Sequence, residues 1–224
     1  ELEMWKTLRH PNVHPFIGSI TLASKLYLVP PWMGFGDARE FVNRYPDVQR
    51  TPLVLQAARG LRYLHTRNPP LVHGDVKAAN ILISDDGVAR IADFGLARWA
   101  IDGMSLGYSD TWRAAGNARW LALELLRDSD DGELERRTVE SDVFAFGRFI
   151  IEIYTGEIPF PSVNDLSVLV SCLKGELLPK RPTGWEVVSR GLNDEMWQLV
   201  IDCCRKEPAR RMSAQRLVFR LKRF

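Results

Sequence analysis

A chain of 224 residues is long enough to bury about 70 to 75% of its extended-chain surface. Its 46% hydrophobic and 26% charged residues exclude disordered, collagenous and coiled-coil classes. Thirty Lys and Arg against 28 Asp and Glu leave a formal charge of +2, too balanced to name nucleic acid or an anionic membrane as the main partner.

In chain order, the first expected element is a short amphipathic helix over Leu2 to Leu8, ended by His10-Pro11 because a residue before proline is pushed out of the helical region. Two strands follow, Phe16 to Ile20 and Lys25 to Val29, the second stopped by Pro30-Pro31. Thr51-Pro52 reads as a cap and first-turn proline for a helix on which Val54, Ala57, Ala58, Leu61 and Leu64 recur at helical spacing up to His65. Leu71-Val72 is a short strand. Ile81 to Ile83 and Val88 to Ala92 form a hairpin around Ser-Asp-Asp-Gly, whose Asp-Gly pair suits a tight turn. Beyond about residue 120 the pattern predicts only helices: Ala122 to Arg127, Ser141 to Thr155, Asn164 to Leu173, Asn193 to Cys204 and Ser213 to Lys222. The stretch Asp102 to Ser109 reads as a surface loop.

Val143 to Tyr154, the most apolar stretch, carries Arg148 and Glu152 and is too short for a bilayer, so no membrane insertion is expected. Cys172, Cys203 and Cys204 are an odd count with two adjacent. They match neither a disulfide framework nor paired metal ligands, and favour a reducing, cytoplasmic setting. The opening at Glu1, without initiator Met, basic n-region or apolar h-region, reads as an internal start in a longer product rather than a signal peptide.

The strongest chemical signal is His73-Gly-Asp75-Val-Lys77-Ala-Ala-Asn80, followed by the hairpin and then by Asp93-Phe94-Gly95. Two carboxylates and an amide at strand and turn ends, with a lysine two residues from the first carboxylate, suit a divalent cation shared with a phosphoryl donor, because hard cations take oxygen ligands. Four specified residues at this spacing match by chance in on the order of one window in several hundred thousand. The pattern resembles the catalytic core of eukaryotic protein kinases.

That resemblance implies an α+β, protein kinase-like fold with a predominantly helical C-terminal lobe over 34–224 and an incomplete N-terminal lobe over 1–33. It implies ATP and Mg²⁺ as cofactors and a protein substrate, with no nucleic-acid partner, and leaves oligomeric state open. Asp75 corresponds to the base that accepts the substrate hydroxyl proton, and Lys77 to the cation that meets the γ-phosphate. Asn80 and Asp93 correspond to the Mg²⁺ ligands. Pro31 and Met33 would meet adenine through a backbone C=O and N–H, with Pro30 as gatekeeper and Leu82 as the floor under the ring. Glu1 corresponds to the helix Glu that pairs with a strand Lys in the active form. Glu124, in Arg119-Trp-Leu-Ala-Leu-Glu124, and Arg211 correspond to a buried pair, and Trp5, Phe16, His73 and Phe94 to a stacked spine anchored by Asp142. Lys77 favours serine/threonine specificity, while Arg119-Trp-Leu-Ala122 is similar to the tyrosine-kinase-like group, of the sort common in fungi.

Departures from the family pattern are equally explicit. The Gly-rich loop and its strand lysine are not in this chain, and Gly34-Phe-Gly36 is a turn rather than a substitute. Gly74 replaces the arginine that would dock an activation-loop phosphate, so modification of Ser105, Tyr108, Ser109 or Thr111 is expected to lack that partner. Leu123 stands for proline, and Asn117 for threonine. These departures keep a second reading open, a pseudokinase lobe acting as a docking or allosteric module. His10 and His14 read as loop residues, since Pro11 and Pro15 prevent a shared helical face. The basic run from Arg205 to Arg223 reads as a solvated helix face plus one buried arginine.

Overall fold

The computed structural model describes residues 2–100, 118–126 and 136–224. Glu1, the 102–109 loop with Ser105, Tyr108 and Ser109, and also Thr111, Asn117 and Arg127 lie outside the described residues.

Helix α1 spans only Leu2–Trp5, shorter than expected. Its continuation is drawn tight by Thr7 N–H to Met4 C=O and Leu8 N–H to Trp5 C=O, both i to i−3 bonds of 3.0 Å. Strands β1 (Gly18–Leu22) and β2 (Lys25–Val29) pair antiparallel from Gly18↔Val29 to Leu22↔Lys25. The first strand sits two residues later than the alternation suggested, because the turn is a two-residue one at Ala23 and Ser24, with φ of 47° and 62°. Such a turn matches the strand twist and fixes the register. Phe16 falls outside the ladder and packs against Trp5 instead.

Helix α2 (Ala38–Arg44) is absent from the sequence reading. Asp37 caps it by accepting the N–H groups of Arg39 and Glu40 at 2.9 Å each. Helix α3 (Arg50–His65) begins one residue before the expected cap, and Thr51 turns its hydroxyl to Tyr154 Oη at 2.7 Å. Strand β3 (Leu71–Val72) has the expected bounds but pairs with an unforeseen β6 (Arg98–Trp99). Between them β4 (Ile81–Ile83) and β5 (Ala89–Ile91) form the expected hairpin, trimmed at its ends.

Leu123–Leu126 is a 3-10 turn where an α-helix was expected. Helix α4 (Val139–Thr155) is closed at its start by reciprocal bonds between Thr138 and Ser141. It ends at Gly156, φ 78°, where a Cβ would lie 2.2 Å from Asn43 Oδ1. Every residue from Ser141 to Tyr154 is buried, which is the burial its apolar sequence called for. Helices α5 (Asp165–Leu173), α7 (Asp194–Cys203) and α8 (Ala214–Leu221) follow the reading, with Asn164, Asn193 and Ser213 as side-chain caps. The short α6 (Trp185–Ser189) was not anticipated.

The result is α+β and predominantly helical, with three two-stranded sheets among the described residues. One apolar core joins α3, α4, α7 and α8 to the β4–β5 hairpin and Trp5. No described helix is long and apolar enough to cross a membrane. The basic end of the chain is partly neutralised from within, because Arg205 and Arg220 both pair with Asp202 at 2.6 Å.

Candidate active site

The loop from His73 to Asn80 leaves β3 and returns as β4, so its ends are fixed by two buried strands. Its start is held by Asp142 of α4, 1% exposed. Asp142 Oδ2 accepts the His73 N–H and Oδ1 the Gly74 N–H, each at 2.7 Å. His65 Nε2 lies 2.9 Å from Oδ2 on the other side. Burial works to raise the Asp142 carboxyl, but the His65 bond, the nearby imidazoles and the Gly74 N–H outweigh it and hold the group below the usual carboxylate range.

The loop's end is held by Glu152, from the last turns of the same helix. Its Oε2 accepts the Ala78 N–H at 2.9 Å and the Trp120 indole N–H at 3.2 Å. Burial pushes this carboxyl up to about 7, against the Ala78 N–H, Arg39 and Trp120, which favour the charged form.

Between these clamps the predicted residues converge. Lys77 Nζ donates to Asp75 Oδ2 at 2.8 Å, and Asn80 Nδ2 donates to the same oxygen and to the Asp75 C=O, both at 2.8 Å. Asp75 Oδ1 and Asn80 Oδ1 have no protein partner among the described residues. Asp93 is stitched to this group through its neighbour, because Ala92 donates its N–H to Asn80 C=O at 2.9 Å and accepts from the His73 ring at 3.0 Å. The Asp93 backbone is left-handed, φ 62°, and among the described residues its exposed carboxylate accepts only the Gly95 N–H, at 3.3 Å.

The Pro31 to Met33 segment reaches the same hairpin. Phe35 N–H bonds Ile83 C=O at 3.3 Å, Ile83 N–H bonds Gly36 C=O at 2.9 Å, and Asp37 bridges Leu82. Gly34-Phe-Gly36 is the turn expected, with Gly36 at φ 70° and bonded to Met33 C=O. Among the described residues neither the Pro31 C=O nor the Met33 N–H is taken by another backbone group. A carbonyl and an N–H with no backbone partner, on a segment that leads into the Leu82 hairpin, fit the edge of an adenine ring. The unclaimed oxygens of Asn80 and Asp93 fit a hard divalent cation.

The aromatic spine is assembled as contacts of ring centroids: Phe16 to Trp5 at 5.6 Å, Trp5 to Phe94 at 5.7 Å and Phe94 to His73 at 5.4 Å. His14 accepts the Trp5 indole N–H on its backbone C=O at 2.6 Å. At Gly74, φ 82°, the space of a side chain is filled from elsewhere. A Cβ there would lie 2.9 Å from both Arg137 Nη1 and Leu96 O. Arg137 is 7% exposed, and its backbone C=O accepts from Arg98 Nη2 at 2.7 Å.

Sequence reasoning gave no role in the site to Glu152, Arg39, His65, Trp120 or Arg137. Glu152 was visible as an acid inside the most apolar stretch, and a charge there needs partners. Arg39 and Arg137 carried no local signal.

Comparison with known proteins establishes the family. The family model described as protein tyrosine and serine/threonine kinase matches residues 1–221, and the chain belongs to the protein kinase family. Among its relatives, serine/threonine-protein kinase CTR1 of Arabidopsis thaliana is 29% identical over 95% of this chain and 25% of its own length. Tyrosine-protein kinase SRK2 of Spongilla lacustris is 30% identical over 100% of this chain and 58% of its own. Receptor-interacting serine/threonine-protein kinase 2 of Bos taurus is 31% identical over 78% of this chain and 33% of its own. The chain thus spans from a quarter to rather more than half of these relatives.

Proposed function

We propose that the chain is part of the catalytic domain of an intracellular protein kinase, transferring the γ-phosphate of ATP to serine or threonine hydroxyls of a protein substrate. Residues 1–33 belong to its small lobe and 34–224 to its large lobe. The observation that carries this reading is the convergence of Asp75, Lys77 and Asn80 at 2.8 Å, with Asp93 tied alongside.

In this reading Asp75 orients the substrate hydroxyl and takes its proton on the carboxylate, freeing the oxygen to attack phosphorus as the bond to the leaving diphosphate breaks. The Lys77 ammonium offsets negative charge next to that carboxylate. Asn80 Oδ1 and the Asp93 carboxylate would hold Mg²⁺, and Pro31, Met33 and Leu82 would seat the adenine. Bound ATP and Mg²⁺ supply the transferable group and the charge neutralisation it needs.

The test is Asp75→Asn in the complete protein, assayed with labelled ATP and a serine- and threonine-containing substrate protein. Transfer is expected to vanish while nucleotide binding and melting temperature stay near wild type. Retained turnover removes Asp75 from the base role. A wild-type protein that binds partners but transfers nothing supports the docking-module reading instead.

A further inference from the structure

Of the two carboxylates that α4 buries, Glu152 has no part in the chemistry just described. It is 1% exposed, yet its partners come from three separate elements. Ala78 belongs to the loop between Lys77 and Asn80, Trp120 to the segment leading into the Leu123–Leu126 turn, and Arg39 to the first turn of α2, directly after the Pro31 to Met33 segment. Glu152 Oε2 takes the first two. Among the described residues Oε1 makes no hydrogen bond, and it lies 3.6 Å from Arg39 Nη1.

We propose that Glu152 is a positioning residue for phosphoryl transfer, which fixes the turn bearing Lys77 and Asn80 and couples it through Arg39 to α2. This inference rests on the catalytic reading above.

The turn at Ala78–Asn80 is a single 3-10 turn closed by two bonds, Asn80 N–H to Lys77 C=O at 3.0 Å and Ile81 N–H to Ala78 C=O. Neither bond uses the Ala78 N–H, so the first peptide of the turn is held on its donor side by Glu152. Rotation of that peptide would carry Lys77 and Asn80 together, and both donate to Asp75 Oδ2. A charged acceptor holds the Ala78 N–H more firmly than a neutral one. Asp142 does the same at the loop's start. Ten residues apart on a helix, the two carboxylates stand about 15 Å from each other, a separation that brackets the loop.

The charges around Glu152 are few. From α2 it faces Arg39, with Asp37 nearby. From the loop it meets the Ala78 N–H, with Lys77 and Asp75 engaged on one another. Next to Trp120, Arg119 is committed to Asp165 at 2.7 Å. Along α4, Arg148 donates to Arg119 C=O, Cys172 Sγ and Leu177 C=O. Arg39 is therefore the one cation facing Glu152 among the described residues, and its side chain is 34% exposed. The carboxyl changes charge near neutrality, within the range in which kinases are assayed.

The complete protein is compared with Glu152→Gln, whose amide oxygen still accepts from Ala78 and Trp120 but carries no charge. Two readouts run in parallel from pH 5.5 to 8.5: kcat and KM for ATP, and solvent exchange of the Ala78 amide proton by NMR, corrected for its intrinsic pH dependence. In wild type, kcat rises about tenfold through pH 7 at nearly constant KM, and Ala78 protection rises with it. In Glu152→Gln both stay at the wild-type low-pH level throughout. Arg39→Met, a change on a partly exposed side chain, moves the wild-type midpoint to higher pH, because removing the cation favours the neutral carboxyl. An active Glu152→Gln protein with the wild-type kcat profile, or with unaltered Ala78 exchange, overturns this inference alone. A wild-type protein with no transfer at any pH overturns the catalytic reading as well.

Discussion

Arg211 closes on Glu124 across 87 positions of sequence, with Nη1 at 2.5 Å from Oε1 and Nη2 at 2.7 Å from Oε2. The guanidinium also donates to the backbone oxygens of Arg205 and Glu140 and lies 5.0 Å over the Phe144 ring. Its side chain is fully buried, and that of Glu124 is 15% exposed.

Arg211→Met strands the Glu124 carboxylate and is expected to cost about 3 to 5 kcal/mol in urea unfolding. Adding Glu124→Gln should recover part of that loss, because the second change removes the orphaned charge. A single variant within about 0.5 kcal/mol of wild type would show that the pair does not anchor the 118–126 segment.

The pH dependence of stability contains two opposed contributions. Glu152 titrates at about 7 in the folded state against an ordinary 4.5. Its contribution is therefore full below about 4.5 and lost as pH rises through 7. His14, buried beside Arg90, is lowered from 6.5 to about 4 by burial first and that cation second. Its contribution is full above 6.5 and lost as pH falls towards 4. Between about pH 4.5 and 6.5 the two slopes cancel. Glu152→Gln should expose a loss on acidification, and His14→Gln a loss on alkalinisation, each of up to about 1.4 kcal/mol per pH unit. Denaturant midpoints at pH 5, 5.5, 6 and 6.5 for the three proteins read this directly. Parallel profiles would mean that neither group titrates as its surroundings demand. His10 is lowered in the same sense as His14, so the informative quantity is the difference between variants.

Helices α4 and α7 cross at a glycine. A Cβ on Gly147 would lie 2.6 Å from Cys204 Sγ and 2.8 Å from Cys203 Cβ. Gly147→Ala is expected to cost about 1 to 3 kcal/mol through overpacking, which for a domain of this size lowers Tm by about 2 to 4 °C per kcal/mol. Gly60→Ala should cost more. There the obstacle is the Asn12 backbone oxygen at 2.3 Å, which cannot rotate away as a side chain can. Equal melting temperatures for the two variants would contradict that ranking.

Legibility in the sequence followed the range of the interactions. Strand β2 was readable because Pro30-Pro31 ends it locally, and the starts of α5, α7 and α8 because Asn164, Asn193 and Ser213, which prove to be their caps, act within three residues. Helix α2 was not. Its seven residues offer too short an apolar pattern, and it is held by the Asp37 cap and by packing against β4 and α4. Leu123–Leu126 has good helix formers but takes the tighter turn, since Glu124 is claimed by an arginine far along the chain. Strand β6 is two residues long and exists only through its partner β3. Within the site, Asp75, Lys77 and Asn80 were readable because one short loop carries all three. Glu152 was visible only as a misplaced charge, because the peptide it holds is 74 positions away.

Position 74 also bears on how this sequence can change. Arg137 occupies the volume that a side chain at Gly74 would need, and the glycine's own backbone, φ 82°, disfavours any replacement. The Arg137 tip can swing aside, whereas the Leu96 backbone oxygen at 2.9 Å cannot, so shrinking position 137 alone does not make room for a long side chain at 74.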